Sequence, residues 1–446
     1  MARFEFLKRK DLIGYIAQIF ASNLFILLLN TLTGIIIARF LGPEGRGEQA
    51  AMIMWPQLLS YIVTLGLPSS IIYHMKKREG NDGSLYVASL WTGLCLAALS
   101  VGAGLLLIPK WLSGYSTETV QFACWALVLV PFGLLGIMNN AVLQAREEFQ
   151  LYNRMRYLPN VMTLMLLIAL VTTNQVTPLH TSIAYLAPIA PATLWTTVRL
   201  LRIYRIRQKK VMASARLLTG YGIRSYGTDL AGTLSFYIDQ VLVAGLLSPA
   251  SLGIYLVALN LSKMLEIIQT SVVSVLFPQA ASLQQEEAVR LTLKMHRISS
   301  MITIVLGFMA IALAPYALLL LYGSGFKEAI GLFRILVVHT VVSSATWTIA
   351  QAFMATGKPG RTTALKAASL LMNALLINLL VPGYGIAGAA YALLLSSVVN
   401  FAVLIVLFVR DYGVRLSSFF YCKEDFLWMR NQWRELGSKK KKMEAV

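Results

Sequence analysis

The sequence predicts an all-α polytopic membrane protein, with about twelve transmembrane helices arranged as two six-helix halves in parallel repeat. Three observations predict it. The chain is too apolar for water, its apolar runs have the length of a bilayer, and its basic residues gather on one side of those runs. Of its 446 residues, 57% are hydrophobic and only 13% are charged, and the mean hydropathy is +0.66. Soluble domains carry about 25% charged residues. The excess needs an apolar solvent. In lipid the backbone must satisfy its own N–H and C=O groups, which makes the spans helical.

A span needs about 20 residues at 1.5 Å rise each. Runs of that kind fall at 12–38, 48–73, 84–108, 118–141, 157–173 and 178–198. Six more fall at 224–246, 251–276, 298–322, 329–355, 363–381 and 385–409. The fifth is the shortest. The first run, from Leu12 to Ala38, exceeds a signal-peptide core and is expected to stay as an uncleaved span.

The formal charge of +19 would suggest nucleic acid in a soluble chain. Here the basic residues sit in short loops between apolar runs, where they orient spans and meet anionic lipid. Lys8–Lys10, Lys76–Arg78, Arg146, Arg154 and Arg156 fall on one side, with Arg290, Lys294, Arg297, Lys358, Arg361 and Lys366. So does the basic stretch 199–216, and so does the Lys439–Lys442 tail. The opposite side holds Arg39, Arg46, Lys110 and Lys327, with Arg334 nearby. The bias predicts a multi-pass protein of the cell membrane with both termini cytoplasmic.

The chain repeats itself. Leu41-Gly42-Pro43 followed by Gly47 returns as Leu247-Ser248-Pro249 followed by Gly253. Both copies sit in the outer turn after the first span of a half. The same offset carries the first six spans onto the last six, and six being even, both halves enter the membrane in the same sense. The expected organisation is a six-helix lobe at 1–198, a basic cytoplasmic linker at 199–223, a second lobe at 224–409 and a basic cytoplasmic tail at 410–446.

Several chemistries are excluded. Gly383-Tyr384-Gly385-Ile386-Ala387-Gly388 spells a dinucleotide fingerprint. That pattern works after a strand in a βαβ unit, whereas this copy joins two apolar helices, so it reads as a tight turn with close packing. No phosphate-cradling G-x-x-x-x-G-K-[ST] is present. Cys95, Cys124 and Cys422 lack metal or disulfide spacing, and His74, His180, His296 and His339 are scattered. No catalytic residues, metal or cofactor are expected, and no nucleic-acid partner.

Four charges fall inside predicted spans: Asp229 and Asp239 in the seventh, Lys263 and Glu266 in the eighth. A charge at mid-bilayer costs about 2.5–3.5 kcal/mol even on insertion scales. They should therefore pair or face a watery interior. Lys263 and Glu266, three apart, share a helix face. They read either as a structural ion pair or as part of a polar cavity between the halves, with Lys263 holding an anionic head group and Arg39 or Arg334 assisting. Asn23, Asn30 and Gln240 are further polar candidates for that cavity. Asp229, Glu266 and Asp239 are the ion-coupling candidates, for a proton or sodium gradient.

Ala38-Arg39-Phe40-Leu41-Gly42-Pro43-Glu44-Gly45-Arg46-Gly47 resembles the first-loop motif of polysaccharide flippases. Leu65-Gly66-Leu67-Pro68, Tyr237-Ile238-Asp239-Gln240 with Gly253-Ile254-Tyr255, and the 383–390 turn are similar to the same family in order and spacing. The resemblance spans essentially the whole chain. It is specific to the superfamily of multidrug, oligosaccharidyl-lipid and polysaccharide exporters. It implies two six-helix lobes around a central cavity, and alternating access that moves a polyprenyl-diphosphate-linked oligosaccharide to the outer leaflet. It implies a transporter rather than an enzyme, with the bilayer as its solvent and a polysaccharide polymerase and glycosyltransferases as candidate partners. One departure is Ile238, where the family often carries a basic residue. A multidrug or lipid II-type exporter is the alternative, and a non-transporting scaffold of a synthesis complex is the second.

Overall fold

The computed structural model describes residues 9–77, 82–204 and 211–420. Every regular element there is helical. The Lys439–Lys442 tail, Cys422, Arg78 and the linker cations Arg205, Arg207, Lys209 and Lys210 lie outside the described residues.

In chain order the helices are α1 Arg9–Ile62, α2 Leu67–Lys76, α3 Asp82–Trp111, α4 Thr117–Ala126, α5 Val130–Ala145, α6 Phe149–Thr172 and α7 Pro178–Leu186. They continue with α8 Ile189–Tyr204, α9 Val211–Leu246, α10 Pro249–Lys263, α11 Glu266–Ala281, α12 Gln285–Tyr322, α13 Glu328–Ala355 and α14 Pro359–Tyr412. Among the described residues, seven helical stretches are long and apolar enough to cross a membrane, or eight if α10 and α11 form one broken span. Two of the seven hold two crossings each. α1 and α14 each run 54 residues, about 80 Å of helix where one crossing needs about 30 Å. A glycine interrupts each, Gly42 at φ 68, ψ −175 and Gly385 at φ 56, ψ −137. The Gly42 angles lie in a region that only glycine enters without strain, and Pro43 then starts the next arm. α9 falls outside the seven, and it carries Arg216, Arg224, Asp229 and Asp239. α7 and α8 are too short singly. All twelve predicted runs are thus helical, and the protein is a multi-pass membrane protein.

Four predicted runs are broken rather than continuous. Leu65 and Gly66, at φ 44 and 69, interrupt the second. A 3-10 turn at Leu127–Leu129 interrupts the fourth, ahead of Pro131. The sixth breaks at Ala187–Pro188. The eighth breaks between Lys263 and Glu266, where i→i+3 bonds such as Leu265 N–H to Ser262 O (3.2 Å) replace the α pattern.

The chain divides into two compact units. The first comprises Met1–Leu261, Pro315–Leu332 and Asn373–Ala389. In it α1 packs on α4, α6 and α7, α5 on α2, α3 and α8, and α9 on α2 and α3. The second comprises Ser262–Ala314, Phe333–Met372 and Ala390–Val446. Its core gathers Val289, Leu293, Ile349, Phe353, Leu404 and Phe408, with the Phe353 and Phe408 rings edge-to-face at 5.7 Å. Most of α9 and α10, which the repeat assigns to the second half, therefore pack within the unit that holds the first six spans.

Candidate functional site

A cavity of about 390 Å³ opens in the first unit, between α1, α5, α6 and α8, with Tyr237 of α9 at its edge. Its shape follows from prolines and glycines. Pro56 lies inside α1 and cannot donate a backbone hydrogen bond. Ser60, one turn later, donates its hydroxyl to the Pro56 carbonyl at 2.7 Å and reaches Val130 O at 3.2 Å, which ties α1 to the start of α5. On α5, Gly133 and Gly136 keep space open. A Cβ at Gly133 would stand 2.5 Å from Ser60 Oγ, and one at Gly136 would stand 3.0 Å from Thr193 Oγ1.

The polar lining divides into groups already engaged and groups presented inward. Asn139 is fully engaged. It accepts from the Tyr86 hydroxyl at 2.7 Å and donates to Thr197 Oγ1 at 2.8 Å, holding α3, α5 and α8 together. Gln57, Asn140, Tyr61 and Tyr237 also line the cavity. The two tyrosine rings lie 6.4 Å apart, tilted by 32°. Arg156, two turns into α6, is the one charged side chain among the lining residues, and no carboxylate is among them. Its guanidinium sits 5.2 Å from the Tyr152 ring centre, and it makes no ion pair among the described residues. The site is thus a neutral hydrogen-bonding pocket with two aromatic rings and a single positive charge. That chemistry suits an anion attached to a hydroxyl-rich group.

Charged groups close the same unit where α2, α5 and α8 end. Lys76 pairs with Glu147, and Glu148 binds Arg146 at 2.6 Å and Arg199 at 3.5 Å. Burial pushes the Tyr204 hydroxyl above its ordinary range, against the opposing pull of Arg146. These pairs are partly exposed, and each contributes about 0–1 kcal/mol.

The predicted site residues distribute differently. Asn23 and Asn30 are exposed on the first arm of α1. Arg39 donates to Leu320 O at 2.6 Å, capping the C-terminal turn of α12 with a cation. Gln240 donates within its own helix, to Phe236 O at 2.8 Å. Asp229 accepts from Ser69 on α2 at 3.2 Å. Asp239 is buried and accepts from the Tyr255 hydroxyl at 2.6 Å. These belong to the first unit. In the second unit, Arg334 is exposed on α13, and Lys263 lies within electrostatic reach of Glu266 and His339. The His339 ring nitrogen Nδ1 meets the Leu393 carbonyl at 3.0 Å. The helix break puts Lys263 at a C-terminus and Glu266 at an N-terminus, each with the sign that its helix end favours.

By sequence Arg156 belongs with the loop cations that orient the spans; in the structure it lies within α6 and lines the cavity. The available signal was polar residues inside apolar runs: Gln57 beside Pro56, and the Asn139-Asn140 pair.

Comparison with known proteins agrees with this fold. The fold is similar to a lipid II flippase in its inward closed conformation, with a TM-score of 0.74 at 15% identity over 90% of this chain and 89% of that one. It is similar to the inward-facing conformation of a multidrug resistance transporter of the MATE family, with a TM-score of 0.69 at 16% identity over 87% and 96% of the two chains. In sequence the chain is 24% identical over 197 residues to a probable low-salt glycan biosynthesis flippase of Haloferax volcanii. That match spans 43% of this chain and 42% of the relative. These neighbours are transporters and flippases rather than enzymes. Residues 36–331 match the profile of polysaccharide biosynthesis proteins, a stretch that takes in the cavity helices and both copies of the Leu-x-Pro turn, and the chain belongs to that family.

Proposed function

We propose that this protein flips a polyprenyl-diphosphate-linked oligosaccharide from the inner to the outer leaflet of the cell membrane, by alternating access, for cell-surface polysaccharide synthesis. The carrying observation is the acid-free cavity with Arg156 as its one charge. A guanidinium fork matches phosphate oxygens two at a time. The neutral amides and hydroxyls around it match sugar hydroxyls, and the tyrosine pair offers faces for a sugar ring. A cationic drug would find no carboxylate there. Lys263, Arg39, Arg334, Asn23, Asn30 and Gln240 are proposed as further contacts along the path. Asp229, Glu266 and Asp239 are the groups through which a proton or sodium gradient would couple. The bias of basic residues supports both termini in the cytoplasm, and enzymes that build and polymerise the glycan are the expected partners.

The test is reconstitution in liposomes with a fluorescent lipid-linked oligosaccharide whose outer-leaflet fraction is read by an impermeant quencher. Protein-dependent movement of that lipid is expected, and movement of a cationic amphiphile is not. Movement of lipid II alone, or of the cationic amphiphile alone, would place the chain in another branch of the superfamily. Absence of any movement would favour a scaffold. A Glu266→Gln, Asp229→Asn double variant that keeps full gradient-driven transport would remove those two residues from the coupling.

A further inference from the structure

Four glycines of the first unit do more than turn the chain. At one crossing, Gly47 of α1 lies on α10. A Cβ added to it would overlap the Pro249 carbonyl oxygen and stand 2.5 Å from the carbonyl carbon. Gly253 of α10 lies in turn on α1, where a Cβ would overlap the Pro43 carbonyl oxygen and stand 3.0 Å from Gly47 N. The two glycines, and the two prolines, are equivalent positions of the repeat. The contact is therefore self-complementary in the manner of a two-fold interface. At the second crossing, Gly66, at φ 69, lies on α9, where a Cβ would overlap the Gly222 carbonyl oxygen. A Cβ at Gly222 would stand 2.5 Å from Leu65 O. Backbone lies directly on backbone at both places.

The cavity lies between the two crossings along both strands of the contact. On α1, the lining residues Pro56 to Tyr61 follow Gly47 and precede Gly66. On α9, Tyr237 follows Gly222 by about 22 Å of helix and precedes Pro249 by about 18 Å. Hydrogen bonds between helices hold α9 in place on either side of Tyr237. Beside Gly66 and Gly222, Ser70 donates to Leu218 O at 2.9 Å and the Tyr226 hydroxyl donates to Ile62 O. Between Tyr237 and Pro249, Trp111 Nε1 of α3 donates to Val241 O of α9 at 2.8 Å.

We propose that the Gly47/Gly253 crossing is the outer seal of the transport path, that the Gly66/Gly222 crossing is the inner seal, and that both are shut in this structure. Opening either end requires one backbone to lift off the other, and the glycines set how completely each end shuts. The inference rests on reading the cavity as the transport path. Its test reads accessibility rather than flipping, so a wrong substrate leaves it standing.

Gln57 in the cavity is replaced by Cys in a background lacking Cys95, Cys124 and Cys422, and labelled with an impermeant maleimide from either side. Gly253→Ala props the outer seal and should raise labelling from outside. Gly222→Ala props the inner seal and should raise labelling from the cytoplasmic side. Both positions are helical, and alanine favours helix over glycine by about 1 kcal/mol, so the added methyl acts through the crossing. A milder pair, Trp111→Phe and Ser70→Ala, adds no atom: the first deletes the α3–α9 bond, with part of the indole ring, on the Pro249 side of the cavity, and the second deletes the α2–α9 bond beside Gly66. It should move labelling in the same two directions by about two- to tenfold, the population change that one hydrogen bond supports. Equal labelling from both sides in all four variants, or a shift in the same direction at both ends, would overturn the proposal.

Discussion

Replacing Arg156 with Gln removes the one charge of the cavity while keeping its length and a hydrogen-bonding amide. A hydrogen bond to a charged group contributes about 1.5–3 kcal/mol. Arg156 is only half-buried, so solvent screening selects the lower end of that range. At 1.4 kcal/mol per decade, binding of a diphosphate should weaken about tenfold. Arg156→Lys keeps the charge without the fork and should fall between the two. Stability should hardly change, because the guanidinium rests over the Tyr152 ring, a contact of about 0.5–1 kcal/mol. The assay is titration of the detergent-solubilised protein with a short-chain prenyl diphosphate, read by tryptophan fluorescence, alongside a melting curve for each variant. Affinity within twofold of the parent at an unchanged Tm would refute the cavity as the anion site.

Asp239→Ala leaves the buried Tyr255 hydroxyl without its acceptor and should destabilise the protein by about 1–3 kcal/mol. Asp239→Asn, which still presents an oxygen, should cost much less, and thermal melts in detergent will rank the two. Gly133→Ala pushes a methyl to within 2.5 Å of Ser60 Oγ, which is held by two carbonyls. Overpacking of that kind costs about 1–3 kcal/mol, and the Tm should recover in part when Ser60→Ala is added. Gln208→Cys, in the basic linker and in a background without native thiols, should resist an impermeant maleimide in intact cells. Labelling there would reverse the assigned orientation.

Much of the helical content was legible because hydropathy reports burial in lipid directly. All twelve predicted runs are helical, and the Leu41–Pro43 turn falls where Gly42 breaks α1. Breaks inside spans were harder to see. Proline announces some of them, as before Pro131 and at Pro188, but nothing in residue type marks the break between Lys263 and Glu266, since both are sound helix formers. Partner choice between helices was less legible still. α9 packs on α2 and α3 through small residues such as Gly222 and Gly66, and hydropathy does not register the fit of one backbone on another. Arg156 was visible as a cation, but its distance into α6 depended on where that helix begins, and helix ends are the least certain part of a sequence reading.

The two copies of the repeat make the same turn by unlike means, and this gives them unequal freedom to change. At Gly42 the backbone takes angles closed to every other residue type. At the matching position, Ser248 keeps an ordinary backbone, and its hydroxyl receives the Ser251 N–H at 3.3 Å. Threonine, aspartate or asparagine could fill that capping role at little cost. After a duplication, the first copy's turn is therefore held to a single residue while the second can drift among four. Divergence between the halves should accumulate at the second turn, and a search for the ancestral unit would do better to start from the first.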